Sequence, residues 1–168
     1  MTATEIPFPH PERTLTLAKS EYAAGADRLL ELARRELLIF DPDLSEFRLE
    51  LPSRVEALRQ FLACSPSNRL QIALRDPEYV KRHCPRIMSL LGVYSASMRI
   101  HRTQGDANRA QDCFVLADRQ HVVRRPVSAQ GRGVIIIGDP REGLAMHERF
   151  SEIWELSEPG PSASTSGL

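Results

Sequence analysis

Between Arg99 and Arg132 the chain carries seven arginines against three aspartates and no other charge. Guanidinium forks match phosphate oxygens two at a time. Arg99, Arg102, Arg109, Arg119, Arg124 and Arg125 therefore form a candidate anion-binding set. From Asp139 to Glu158 the balance reverses, with six acids against two arginines. Such runs most often mark a solvated face, so the set needs a common concavity before it means more. Two histidines, His101 and His121, lie in the basic stretch. Each falls on an expected strand, where a satisfied or half-exposed ring is the ordinary outcome and a general base the sharper one.

Other chemistry-bearing residues are less specific. Asp41-Pro42-Asp43 follows a strand, where α/β sheets place ligands. With no third acid or histidine beside it, the tripeptide reads as a turn with capping duties. His83 and Cys84 are adjacent on a helix and point apart. "GDPREG", 138–143, lacks the Lys-Ser/Thr of a phosphate loop and reads as a strand-to-helix turn. Cys64, Cys84 and Cys113 are odd in number and widely spaced, which supports neither a zinc site nor a disulfide framework. No metal and no cofactor is expected.

The elements that must position these residues come from periodicity. A chain of 168 residues with 42% apolar and 26% charged side chains fits one globular domain. No apolar run reaches the roughly 20 residues of a membrane span. The N-terminal segment has no basic region ahead of an apolar core, so a cytoplasmic setting is expected. The expected layout is a flexible Pro-rich head over 1–13, one domain over 14–156 and a disordered tail over 157–168. Within the domain, 15–35 reads as a helix, "ELLIFD" as a strand buried on both faces, and a helix starts at Ser53 with Glu56 closing a capping box. "RLQIALRD" is a strand, and Asp76-Pro77 opens a helix that Pro85 kinks or ends. "SMRIHR", "CFVLAD", "HVVRRP" and "GVIIIGD" are strands. Asp139-Pro140 caps a last helix burying Leu144, His147, Phe150 and Trp154. This alternation predicts an α/β fold: a mainly parallel mixed sheet sandwiched by helices, with an antiparallel hairpin around Arg119.

In that order, several segments resemble one half of the phospholipase D superfamily: "ELLIFDPDL", "VEALRQFLACSPSNRLQIALRD", "FVLADRQHVV" and the closing "ERFSEIWELS". The resemblance covers about residues 20–156. Closer still, the chain resembles an uncharacterised bacterial family of short, single-unit proteins of this type, often read as non-catalytic. The superfamily motif is H-x-K-x4-D followed by G-S-x2-N. Its histidine attacks phosphorus, its lysine holds phosphate oxygens, and its aspartate orients the histidine. Two such motifs normally meet at one phosphate, which implies a homodimer or a partner domain.

Anchored on Asp118, the motif is degenerate. Gln111 stands at the nucleophile, Cys113 at the lysine, and Arg125-Pro126 at Gly-Ser. No H-x-K occurs anywhere, because the only lysines are Lys19 and Lys81. The expectation is a catalytically inactive domain that binds or interacts, with a phosphate-containing ligand or nucleic acid as candidate partner. The alternative is an active phosphodiesterase or nuclease using His101 or His121 as a displaced histidine.

Overall fold

The computed structural model describes residues 10–161. The chain forms β1 (Glu12–Thr16), α1 (Lys19–Leu32), β2 (Glu36–Asp41), α2 (Pro52–Cys64), β3 (Arg69–Leu74), α3 (Glu78–His83) and α4 (Pro85–Val93). It continues with β4 (Met98–Thr103), a 3-10 turn at Gly105–Arg109, β5 (Cys113–Ala117), β6 (His121–Arg125), β7 (Gly133–Ile137), α5 (Pro140–Glu155) and β8 (Ser157–Pro159). The eight strands make one sheet in the order β1-β7-β6-β5-β2-β3-β4-β8.

Alternate side chains of the sheet build two cores. On one face Leu37, Ile39, Leu70, Ile72, Ile100 and Val115 lie beneath α1 to α4, whose Leu29, Leu58, Phe61, Val80 and Ile87 are buried with them. On the other, Leu38, Phe40, Phe114, Leu116, Val122 and Ile136 lie beneath Met146, Phe150 and Ile153 of α5. The helix-covered mixed sheet is thus as expected. The balance of directions is not: among the described residues only β2–β3 and β3–β4 are parallel, and the five other neighbouring pairs are antiparallel. Alternation along the sequence gives the order of elements but not which strands become neighbours.

Four further expectations change. The helix expected over 15–35 is shorter, since Leu15 and Thr16 belong to β1 paired with β7. At its other end the Arg34, Arg35 and Glu36 N–H groups are taken by the Asp118 carboxylate. Second, α2 starts at Pro52 with Leu51 as its cap, and Glu56 pairs with Arg59 instead of closing a box. Third, the buried stripe of α5 is Gly143, Met146, Phe150 and Ile153, while Leu144 is 55% exposed. Gly143 fixes that rotation: a Cβ there would stand 1.7 Å from the Arg119 carbonyl oxygen, so only glycine lets the helix rest on the β5–β6 turn. Fourth, the ordered sheet passes the expected domain limits at both ends, with β1 starting at Glu12 and β8 running over 157–159. The remainder of the expected head and tail, 1–9 and 162–168, lies outside the described residues. The Asp139 cap is observed, its Oδ1 accepting from the Arg141 and Glu142 N–H groups at 3.0 and 3.3 Å.

Candidate functional site

The parallel strands β2, β3 and β4 end at Asp41, Leu74 and Thr103, and this carboxyl edge is where α/β sheets hold ligands. β5 runs back along β2, with Phe114 opposite Phe40. β6 returns along β5 with Arg125 opposite Cys113. Gln111, Cys113, Arg125 and Pro126 therefore gather at the carboxyl edge, beside the end of β2. Asp118 does not. It begins the turn at the other end of the hairpin, five strand residues from Cys113, or about 16 Å at 3.3 Å per residue. There it sits at φ +52°, and its two carboxylate oxygens accept from the Arg34, Arg35 and Glu36 N–H groups at 2.8, 2.8 and 3.0 Å. Its own N–H donates to the Glu36 carbonyl at 2.9 Å. In this chain the aspartate ties the hairpin turn to the α1–β2 junction, and it stands too far away to orient a side chain at Gln111.

At the carboxyl edge, Arg125 fills the space. It shares the inward face with Val123 and is 2% exposed. Nε donates to Cys113 Sγ at 3.3 Å, Nη1 to the Gln130 carbonyl at 3.3 Å, and Nη2 to Glu46 Oε2 at 3.2 Å. The guanidinium lies 4.4 Å from the centre of the Tyr22 ring, a cation–π contact. Lys19 completes the network with an ion pair to the other Glu46 oxygen at 2.5 Å. What space is left among Lys19, Tyr22, Asp41, Glu46, Phe47 and Arg125 is about 10 Å³, which is at the lower limit for one water. Burial pushes the Cys113 thiol up, so it stays protonated near neutral pH. Burial also raises the Asp41 carboxyl to about 6, against the N–H groups of Leu44 and Asp43 that bond its Oδ2. Glu46 is held below the ordinary range: burial works against it, but the bonds from Lys19 and Arg125 outweigh that. Gln111 is exposed and donates to the Arg109 carbonyl at 3.0 Å. A neighbouring hollow of about 230 Å³ is lined by Asp41, Asp43, Ser45, Glu46 and Ser128, so its charge is opposite to that of a phosphate pocket.

The six arginines do not meet in one concavity. Arg125 is buried and bonded. Arg124 faces the α5 side, and its buried Nε has no partner among the described residues. Arg102 is the penultimate residue of β4 with an exposed side chain, and Arg109 is exposed on the 3-10 turn, 3.7 Å from Asp106. Arg119 lies at the far turn, paired with Glu36 at 3.1 Å. Arg99 lies in the first half of β4. The histidines are apart as well. His101 bonds Ser157 Oγ through Nδ1 at 2.9 Å and stacks on Trp154. His121 is 2% exposed at the far end of β6, its Nδ1 accepting from the Gly138 N–H at 3.0 Å. Asp41-Pro42-Asp43 is a turn, and among the described residues no three potential ligands come together for a metal. His83 packs on Tyr79 with ring centres 5.0 Å apart, and Cys84 is buried.

The model of a family described as a domain of unknown function, DUF7931, matches residues 18–164. The chain belongs to that family. No curated protein sequence matches it significantly. Its fold is similar to that of Nuc from Salmonella typhimurium, a phospholipase D family member, at 9% identity over 91% of this chain and all of Nuc, with a TM-score of 0.58. NucT from Helicobacter pylori gives 12% identity, 90% and 100% coverage and a TM-score of 0.61. TrmBL2, an archaeal chromatin protein with a novel mode of DNA binding, gives 16% identity and a TM-score of 0.63. There the likeness covers 95% of this chain but only 56% of the chromatin protein. The fold of this DUF7931 chain is phospholipase D-like.

Sequence reasoning missed the partners of Arg125 in this DUF7931 domain. Tyr22, Lys19 and Glu46 lie about 80 to 105 residues away along the chain. One signal was present: Arg125 follows Val123 at strand spacing, which puts both on the inward face.

Proposed function

We propose that this domain is a non-hydrolytic member of the phospholipase D-like fold that binds a phosphate-containing ligand, nucleic acid included. The observation that carries the reading is the state of the carboxyl edge. Gln111 is exposed, the Cys113 thiol is buried and protonated, and Arg125 fills the space beside the end of β2. The exposed Arg102 and Arg109 at that edge supply the ligand contacts. The DNA binding of the similarly folded chromatin protein is consistent with a nucleic-acid ligand. Pairing of two copies, or with a partner domain, belongs to the same proposal.

Two experiments test it. Incubation with bis(4-nitrophenyl) phosphate is expected to give no turnover above background, and turnover lost in His101→Ala or His121→Ala would overturn the inactive reading. Short single-stranded DNA and RNA are expected to bind with an affinity that falls as salt rises, because each phosphate contact releases counterions. The double variant Arg102→Ala/Arg109→Ala should weaken that binding and flatten its salt slope. Absence of binding at low salt would end the ligand assignment.

A further inference from the structure

A second feature lies on the far side of the sheet from the β5–β6 hairpin. β8 pairs only with His101, Arg102 and Thr103, so the first half of β4 borders an open hollow. The hollow measures about 570 Å³, within the range of small-molecule sites. Leu91, Ile100, Pro159 and Pro161 give it apolar walls, and Arg99 is the one charged residue among its lining. His101 also lines it. Arg99 and His101 are two apart on β4 and so share one face of the strand. This is the relation a strand needs to present a cation and an imidazole to one anion. Two strands, β2 and β3, separate the hollow from β5, so it is distinct from the edge filled by Arg125.

Both groups are ready for a ligand. Arg99 is exposed, and among the described residues no carboxylate pairs with it. His101 is held flat on Trp154, with ring centres 3.6 Å apart and planes 11° apart. Ser157 Oγ donates to the Trp154 carbonyl at 2.5 Å, so its proton is committed. The His101 Nδ1–H then donates to Ser157 Oγ at 2.9 Å, which leaves Nε2 as a lone-pair acceptor on a fixed ring, able to take a hydrogen bond from a protonated ligand oxygen. Among the described residues no acid lines the hollow to compete for the guanidinium.

We propose that this hollow binds a small amphipathic anion, with a phosphate or carboxylate head held by Arg99, a protonated oxygen of the head donating to His101 Nε2 where it carries one, and an apolar body against Leu91, Pro159 and Pro161. Trp154 is the only tryptophan of the chain and stacks on His101, so its fluorescence reports the site directly. The full chain is titrated with hexyl phosphate, hexanoate and inorganic phosphate. At least one of the two amphipathic anions should give a saturable change, about tenfold tighter than inorganic phosphate, and the tighter of them names the head group. Arg99→Ala should weaken that binding about tenfold, as loss of a charge-assisted hydrogen bond does, with Arg99→Lys in between. Neither anion saturating, or Arg99→Ala binding as well as the natural chain, overturns the site. Unchanged nucleic-acid binding by Arg99→Ala separates this result from the fate of the Arg102–Arg109 reading.

Discussion

The two ends of the β5–β6 hairpin hold their polar side chains in opposite ways. At the turn end Asp118 keeps the residue type, and its carboxylate closes three backbone N–H groups of the α1–β2 junction. At the open end a buried arginine fills the space beside Cys113. The lesson is that an aspartate at a strand turn can serve the backbone beside it and not a side chain at the other end of the strand pair. It secures backbone here, while Cys113 lies some 16 Å away on the same strand pair.

The largest expected effect lies at the open end. Arg125→Ala removes three side-chain bonds and a cation–π contact and leaves a hole in the core, at a cost of about 4 kcal/mol in urea unfolding. A cost no larger than that of a surface charge would mean that the Arg125 network does not hold the open end together. Asp118→Ala comes next. It strips charge-assisted partners from three N–H groups, two of which water can reach, so about 3 kcal/mol is expected. If circular dichroism melts show Asp118→Ala unchanged, the clamp account of its retention is wrong.

A third test uses pH to show that the open end is a desolvated structural core. Burial raises the Asp41 carboxyl to about 6 in the fold, above its value in an unfolded chain. The folded state therefore holds a proton that the unfolded state releases. The resulting stability is present at low pH and is lost as pH rises through about 6. Glu46, held low by Lys19 and Arg125, works in the opposite direction, losing stability as pH falls. Subtracting the Asp41→Asn profile from that of the natural chain isolates the Asp41 contribution, about 2 kcal/mol between pH 4 and pH 7. Parallel profiles would mean that water reaches Asp41 and that the edge is an open pocket.

What could be read from the sequence follows the range of the forces involved. The strands from β2 to β7 showed in their alternation of apolar residues, and the Asp139 cap showed in a local pair of residues. These are short-range facts. The end of α1 was not legible, because what competes for the N–H groups of Arg34 and Arg35 is a carboxylate more than 80 residues away. The direction of most strand pairs was hidden for the same reason. Arg125 was read as a surface cation because arginine is rarely buried unless paired, and its partners come from α1 and the loop after β2. That Gln111 and Cys113 stand seven and five residues before Asp118 is plain in the sequence. The separation between them and Asp118 follows from strand rise, but the bond that gives Asp118 its role does not.

The smallest effect is the most discriminating at the turn end. Arg119 neighbours Asp118, also has positive φ at +56°, and pairs with Glu36 across a largely exposed contact. Arg119→Gly loses that ion pair, worth about 0.5 kcal/mol when exposed. It also removes the Cβ from a left-handed conformation that costs a non-glycine residue about 1 kcal/mol. The two terms nearly cancel, and a melting temperature within about 3 °C of the natural chain is expected, with the sign favouring glycine. A loss as large as that of Asp118→Ala would move the clamp from the Asp118 carboxylate to the Arg119–Glu36 pair. A near-neutral result would confine the turn's contribution to the Asp118 carboxylate and its three backbone N–H partners.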